Sequence, residues 1–261
     1  MWKVPNGFRT NNNMLKTLAV IYNHNLPEMT DRLWEELKPY ERDDYDLILI
    51  DNGSREDGKS KYTTHETGVN TYFGGALNIA LDFFTTSGAY DSLLSLNNDL
   101  VLQGNNFVRT LREEMFHSDS LLYKIISPSV LQVEKQCNWK YMHCWNSDKI
   151  RQVKWVDFQA PLIHKDFIRV YPQFPDELVY GWGQDVLSGI LCEKQGWKVG
   201  VVDRCPLIHH SAHTYKSGVS DLDLQTYCQN AEQGMFGYMQ SQGLMEKFTE
   251  FRELSAEYTY E

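Results

Sequence analysis

A few short polar clusters in this chain carry the residue types that chemistry requires. Tyr22-Asn23, Asp51-Asn52 and Asn97-Asn98-Asp99 each follow directly on an apolar run. Asp185 follows a Gly-Trp-Gly turn, and His209 and His210 close a further apolar run. Carboxylates accept protons and offer hard oxygen ligands to divalent cations, imidazole adds a nitrogen ligand, and amides hydrogen-bond to polar ligands. An aspartate after a strand is more often a turn former or a helix cap than a ligand, so each cluster alone says little. Several clusters at strand ends of one sheet say more.

The elements needed to hold them there are legible. Residues 16–22 read KTLAVIY, short, apolar and β-branched, as expected of a strand buried on both faces. Pro27 and Glu28 open a helical pattern carrying Leu26, Met29, Leu33 and Leu37, with Asn25 expected as its cap and Pro39 as its stop. A second buried strand, DLILID, runs straight into Asn52-Gly53-Ser54. In NTYFGGALNIALDFF the paired glycines lead into a helix with Ala76, Ile79, Ala80 and Phe83 on one face. Residues 92–96 form another apolar strand that ends at Asn97.

Alternation of this kind predicts an α/β chain whose sheet has a parallel centre and helices on both faces, with its site at the carboxyl ends of the strands. Further strands are expected at residues 123–127, 130–133, 152–163, 197–203 and 207–209, and a helix at 186–195 closed by Gly196. From Asp221 onward helix formers resume, interrupted by Gly234, Gly237 and Gly243.

Composition narrows the function. With 261 residues, 42% hydrophobic and 23% charged, the chain has material for a substantial core and is no disordered tail. A net charge of −10 argues against the broad electrostatic grip of a nucleic-acid or anionic-membrane binder. The five cysteines have no CxxC spacing, and Cys137 and Cys144 with His143 lack a fourth ligand for zinc. Free thiols and the absence of a leader or a bilayer-length apolar run lead to the expectation of a soluble, cytoplasmic protein. No repeat or Ser/Pro-rich linker divides the chain.

In order, LAVIYN, LILIDNGS, NTYFGGALNIAL, LLSLNNDLVL, FQAPLIHKDF and YGWGQDVLSGILCEKQGWKV resemble the family 2 glycosyltransferases, in the rhamnosyltransferase-like branch. The resemblance covers roughly residues 16–213. It implies a GT-A fold, a Rossmann-like central mixed sheet with helices on both faces. Residues 1–15 would then be an N-terminal extension, and 214–261 a helical segment packing on the same domain.

The resemblance also implies roles. The donor would be a nucleoside-diphosphate sugar, UDP-, dTDP- or GDP-linked. Asp51 matches the acid that binds base or ribose, and Tyr22 with Asn23 the adjacent wall. Asn70, Gly74 and Gly75 match the segment lying against the nucleotide, where missing side chains permit close approach. Asn97-Asn98-Asp99 stands in the place of the DxD motif, its first acid replaced by Asn97. That leaves Asp99 as the ligand for Mn²⁺ or Mg²⁺, one carboxylate being chemically sufficient beside substrate phosphates and water. His209 is the expected second ligand, from its distance to Thr214, with His210 and His213 as fallbacks. An imidazole ligand favours manganese.

Asp185 matches the general base of an inverting transfer to a hydroxyl acceptor, with Gln184 replacing the usual glutamate. Trp182 and Gln184 are expected at the acceptor, and Gln159 and Ala160 beside the donor sugar. The acceptor is expected to be a glycan or lipid-linked glycan, with self-association of the chain left open. The alternatives are a transferase acting on a hydroxymethylated DNA base, where nucleic acid enters only as acceptor through patches such as Lys59-Lys61 or Lys135-Lys140, and a nucleotide-sugar-binding module without turnover. A sugar-1-phosphate nucleotidyltransferase is disfavoured, because residues 23–27 lack a Gly-rich basic loop. The region beyond Tyr215, with Tyr227, Phe236 and Tyr238, is expected to cover the acceptor side or to mediate self-association.

Overall fold

A computed structural model describes residues 16–41, 44–104, 106–132, 139–210 and 222–256. The expected N-terminal extension, His213, Cys137 and Lys135 lie outside the described residues.

Strand β1 (Thr17–Asn23) is buried along its whole length, as its unbroken apolar run requires. It pairs in parallel with β2 (Tyr45–Asp51) on one side and with β4 (Ser92–Leu96) on the other. The short β3 (His65–Glu66) extends the sheet beyond β2. Beyond β4 the sheet turns antiparallel through β8 (Leu162–His164) to β6 (Tyr123–Val130), and β9 (Lys198–His209) then runs parallel to β6. Two short strands use different parts of β9: β7 (Arg151–Val153) pairs with Val199–Val201, and β5 (Leu100–Leu102) with Leu207–His209. The sheet is therefore mixed, with a parallel centre.

Helices α1 (Pro27–Leu37) and α2 (Tyr72–Ser87) pack on β1 and bury Leu33, Trp34 and Leu37 from the first and Ala76, Leu77 and Ala80 from the second. The start of α1 differs from expectation. Asn25 sits at φ 56° and its side chain accepts from the Arg55 backbone, so it is not the cap. Asn23 takes that part from within β1, its Oδ1 accepting from Leu26 N at 3.3 Å and Thr30 Oγ1 at 2.8 Å. A buried strand end thus closes the helix that follows it.

The second half departs from the sequence in strand lengths. Residues 152–163 are not one strand: the chain leaves β7 after Val153, turns through Asp157 and re-enters the sheet at Leu162. Conversely, 197–203 and 207–209 belong to one strand. Between Val202 and Leu207, β9 bulges against the much shorter step from Pro128 to Val130 on its neighbour, which absorbs Pro206.

Helix α3 (Phe107–Phe116) packs against β6 and β9, and the short α4 (Lys165–Val170) follows β8. Helix α5 (Gln184–Lys194) carries a mostly buried face, and Gly196 follows its end at φ 71°. Two further helices, α6 (Leu224–Ser241) and α7 (Met245–Ala256), finish the described chain. Helix α6 runs through Gly234 and Gly237 unbroken. A Cβ at Gly234 would stand 2.3 Å from the Glu177 carbonyl, so that glycine marks a close approach rather than a break. Phe248 and Phe251 of α7 are buried, and Trp155 Nε1 donates to the Phe251 carbonyl at 3.2 Å. Burial of such a ring contributes on the order of 2 to 3 kcal/mol, which fixes α7 to the body. Among the described residues no helix is long and apolar enough to cross a membrane.

Candidate active site

A cavity of about 540 Å³ opens at the carboxyl ends of β1, β2 and β4 and is closed on its far side by α6 and α7. Its wall divides into three regions.

The first region is polar and aromatic, built from Tyr22, Asn23 and His24 at the end of β1, Asn52 after β2, and Asn70, Tyr72 and Phe73 at the start of α2. Asn52 Oδ1 accepts from the Thr71 backbone N and hydroxyl, and its Nδ2 donates to the Tyr72 carbonyl at 3.0 Å. Asn70 Oδ1 accepts from Tyr72 N. Together they hold Tyr72 at φ 53°, a left-handed conformation that costs a tyrosine on the order of 1 to 2 kcal/mol. The result places the Tyr72 ring 4.4 Å from that of Tyr180, at the cavity wall.

Several residues expected in this region lie elsewhere. Asp51 is 1% exposed and does not line the cavity. Its carboxylate accepts from Asn23 Nδ2 at 2.8 Å and Ser54 N at 2.9 Å, so it organises the strand ends, and Asn52 takes its place at the wall. Gly74 and Gly75 do not open space for a ligand. A Cβ at Gly74 would meet the Leu178 carbonyl at 2.4 Å and Gln184 Nε2 at 2.5 Å, and one at Gly75 the Thr71 side chain at 2.7 Å. Their bareness serves helix packing.

The second region holds Asn97, Asn98, Asp99 and His209. Antiparallel pairing of Leu100 with His209 brings the turn after β4 against the end of β9, and His210 N donates to the Asp99 carbonyl at 2.9 Å. Asp99 Oδ1 and His209 Nε2 are 3.2 Å apart. Burial raises the Asp99 carboxyl, but the His209 and His210 imidazoles and the hydrogen bond from His209 outweigh it, leaving it below the ordinary value. Asn98 donates to Thr30 Oγ1 at 3.0 Å, which ties this turn to α1.

The third region carries Asp185, at the first turn of α5. Gly181 and Gly183 adopt φ 93° and 86°, conformations that favour glycine, and between them Trp182 stands exposed at the mouth. Burial, with the Asp157 carboxylate second, pushes the Asp185 carboxyl up to about 7. Asp157 also lines the cavity and is itself raised by burial. Gln159 Nε2 donates to its Oδ2 at 2.7 Å.

Gln159 and Ala160 are buried outside the cavity lining, so Gln159 reaches the site only through Asp157. Gln184 has no exposed surface and does not line the cavity, and its Nε2 donates to the Leu178 carbonyl. Asp157 escaped notice in the sequence because residues 152–163 pass for one strand, in which an acid would merely alternate. The signal was Asp157-Phe158-Gln159, which interrupts the apolar run just before Pro161. Arg252, on α7, completes this region.

Among the described residues no group of three or more His, Cys, Asp or Glu side chains gathers to bind a metal. Asp99 and His209 nevertheless fit a divalent ion as a pair. With metal–ligand bonds near 2.1 Å, adjacent ligands of an octahedral ion stand about 3 Å apart, close to the separation of this oxygen and nitrogen.

No protein-family model matches this chain, and no curated protein matches its sequence. Solved structures do match. GalNAc-T7, solved with UDP, GalNAc and Mn²⁺, superposes with a TM-score of 0.60 at 12% identity over 85% of this chain and 48% of its own. The chain thus spans about half the length of GalNAc-T7. The mannosyltransferase PcManGT from Pyrobaculum calidifontis, solved with GDP-Man and Mn²⁺, gives 0.55 at 9% identity over 95% of this chain and 77% of that one. S. aureus TarS, residues 1–349, gives 0.52 at 11% identity over 87% and 72%. The fold is the GT-A fold of nucleotide-sugar transferases.

Proposed function

We propose that this protein is a divalent-metal-dependent, inverting glycosyltransferase that moves a sugar from a nucleoside-diphosphate donor to a hydroxyl acceptor. One observation carries the reading: a carboxyl raised to about 7 shares a single cavity with the Asp99–His209 pair. The GT-A fold, and the UDP, GDP-Man and Mn²⁺ with which its structural neighbours were solved, support it.

In this reading Asp99 and His209 would hold Mn²⁺ or Mg²⁺, which would supply positive charge to balance the departing diphosphate. Tyr22, Asn52, Asn70 and Tyr72 form the wall for the nucleoside. Asp185 takes the proton of the acceptor hydroxyl as its oxygen bonds to the anomeric carbon. The bond from that carbon to the diphosphate oxygen breaks, and its electron pair leaves with the nucleoside diphosphate. General-base assistance of this kind is worth on the order of 10² to 10⁴ in rate, most when the base has a pKa near the working pH. Trp182 offers an aromatic face to the acceptor ring. The buried thiols of Cys192 and Cys205 support a reducing, cytoplasmic setting.

The test is a screen of UDP-, dTDP- and GDP-sugars for Mn²⁺-dependent thermal stabilisation and turnover, repeated on Asp185→Asn and Asp99→Ala. The expected result is donor binding without transfer in the first variant and loss of the metal-dependent part of binding in the second. Parent-rate transfer by Asp185→Asn, or donor binding indifferent to chelator, would overturn the assignment.

A further inference from the structure

We propose that the acceptor is an acidic saccharide, its carboxylate or phosphate group received by Arg252 on the aromatic side of the cavity beside Asp185. This rests on the glycosyltransferase reading and names the substrate class of its acceptor half.

Arg252 is singular among the described arginines. Every other one, from Arg32 to Arg204, has a carboxylate oxygen within 3.9 Å. Arg252 has none among the described residues, in a chain with 35 acidic against 25 basic side chains. Its guanidinium instead lies over two rings, 5.7 Å from the centre of Trp139 and 5.6 Å from that of Phe248. Aromatic faces hold a guanidinium in place without consuming its hydrogen-bond donors. The helix beneath it is anchored by the buried Phe248 and Phe251 and by the bond from Trp155 Nε1 to the Phe251 carbonyl. A cation held over two rings, its donor fork unspent among the described residues, therefore lines the cavity.

The charges around it fix what it is for. Asp157 and Asp185 make this part of the cavity acidic, and an anionic acceptor would be repelled without a local positive group. Arg252 acts on Asp185 through space but does not pair with it. Both line one cavity, so a single ligand can meet both, and Arg252 has no carboxylate partner among the described residues. A guanidinium fork matches carboxylate and phosphate oxygens two at a time. Trp182, exposed at the mouth of the same cavity, supplies a ring for the apolar face of a sugar.

The experiment compares methyl glucoside, methyl glucuronide and methyl glucoside 6-phosphate as acceptors for the parent, Arg252→Gln and Arg252→Lys, using Mn²⁺ and the donor found in the screen above. The parent is expected to prefer one acidic acceptor over the neutral one by at least about tenfold in kcat/KM, and the acid that wins identifies the group. Arg252→Gln is expected to raise KM for that acid by about 10- to 100-fold, the range of a charged hydrogen-bonded contact. Arg252→Lys, which keeps the charge but loses the fork, is expected to recover part of the loss. Preference for the neutral glycoside in the parent, or equal losses on acidic and neutral acceptors in Arg252→Gln, would overturn the proposal. Preferential transfer to an oligonucleotide carrying hydroxymethylated bases would do so as well. Calorimetric binding of the same three glycosides keeps the test separate from the underlying reading. If no donor is turned over, the transferase reading fails, while acid-selective binding lost in Arg252→Gln still upholds the Arg252 site and its absence overturns it.

Discussion

Replacing Asp157 with asparagine should move the acidic limb of the pH–rate profile toward lower pH. In the parent, Asp185 must be ionised to act as base, and burial with the neighbouring Asp157 places its carboxyl at about 7. The profile of kcat/KM should therefore rise through about pH 7. Asp157 and Asp185 titrate as an interacting pair, so this limb belongs to the pair rather than to one residue.

Burial is the larger cause and survives the substitution, so only part of the elevation is lost, on the order of one pH unit. A limb lowered from about 7 to about 6 raises the ionised fraction at about pH 6 roughly fivefold and changes almost nothing at about pH 8.5. The new amide would keep the size of the parent side chain and can still accept from Gln159, so the wall should keep its shape. Initial rates with saturating metal across about pH 5 to 9 would measure it, run with both Mn²⁺ and Mg²⁺. A limb that follows the metal belongs to metal-bound water and not to Asp185. A parent limb near the ordinary carboxylate range, or a variant limb unmoved or shifted upward, would refute the reasoning.

The same carboxyl should leave a mark on stability. A folded-state value raised from 3.8 to about 7 means that the native chain binds the extra proton. Its stabilising contribution is complete below 3.8 and is lost as pH climbs through about 7, by at most about 4 kcal/mol. Asp185→Asn escapes this loss, so its melting temperature should gain on the parent between about pH 5 and pH 8 by several degrees. An unchanged gap would place the carboxyl near its ordinary value. Gly183→Ala should destabilise by about 2 kcal/mol or more, since it forces a side chain onto φ 86° with Met235 Cγ 2.8 Å from the new Cβ. Chemical denaturation would read it. Asn23→Ala removes the partner of the buried Asp51 and of the α1 entry, and should cost about 3 kcal/mol by the same assay.

What the sequence made legible follows the range of the interactions involved. The strands of the parallel centre announce themselves because a run such as LAVIY can only be buried on both faces, and the polar residues at its end are then at the sheet's carboxyl edge. Asp99 and His209 could be paired from their separate strand ends only through the resemblance, since they stand 110 positions apart and β-pairing, which no local pattern encodes, closes the gap.

Side-chain direction was the less legible quantity. Asp51 and Asn52 are neighbours on one strand end, and which of them faces a ligand depends on whether Asn23 and Ser54 are in place to absorb the carboxylate. Gly74 reads equally as a ligand cradle or a packing contact until the Leu178 carbonyl is seen 2.4 Å from where its Cβ would be. Asp157 and Arg252 were hidden for a different reason. Each belongs to an element whose sequence is ordinary, a broken strand and a terminal helix, and acquires significance only from what the fold sets opposite it. An acid is unremarkable until another acid shares its cavity. An arginine is unremarkable until its surroundings supply rings where every other described arginine has found a carboxylate.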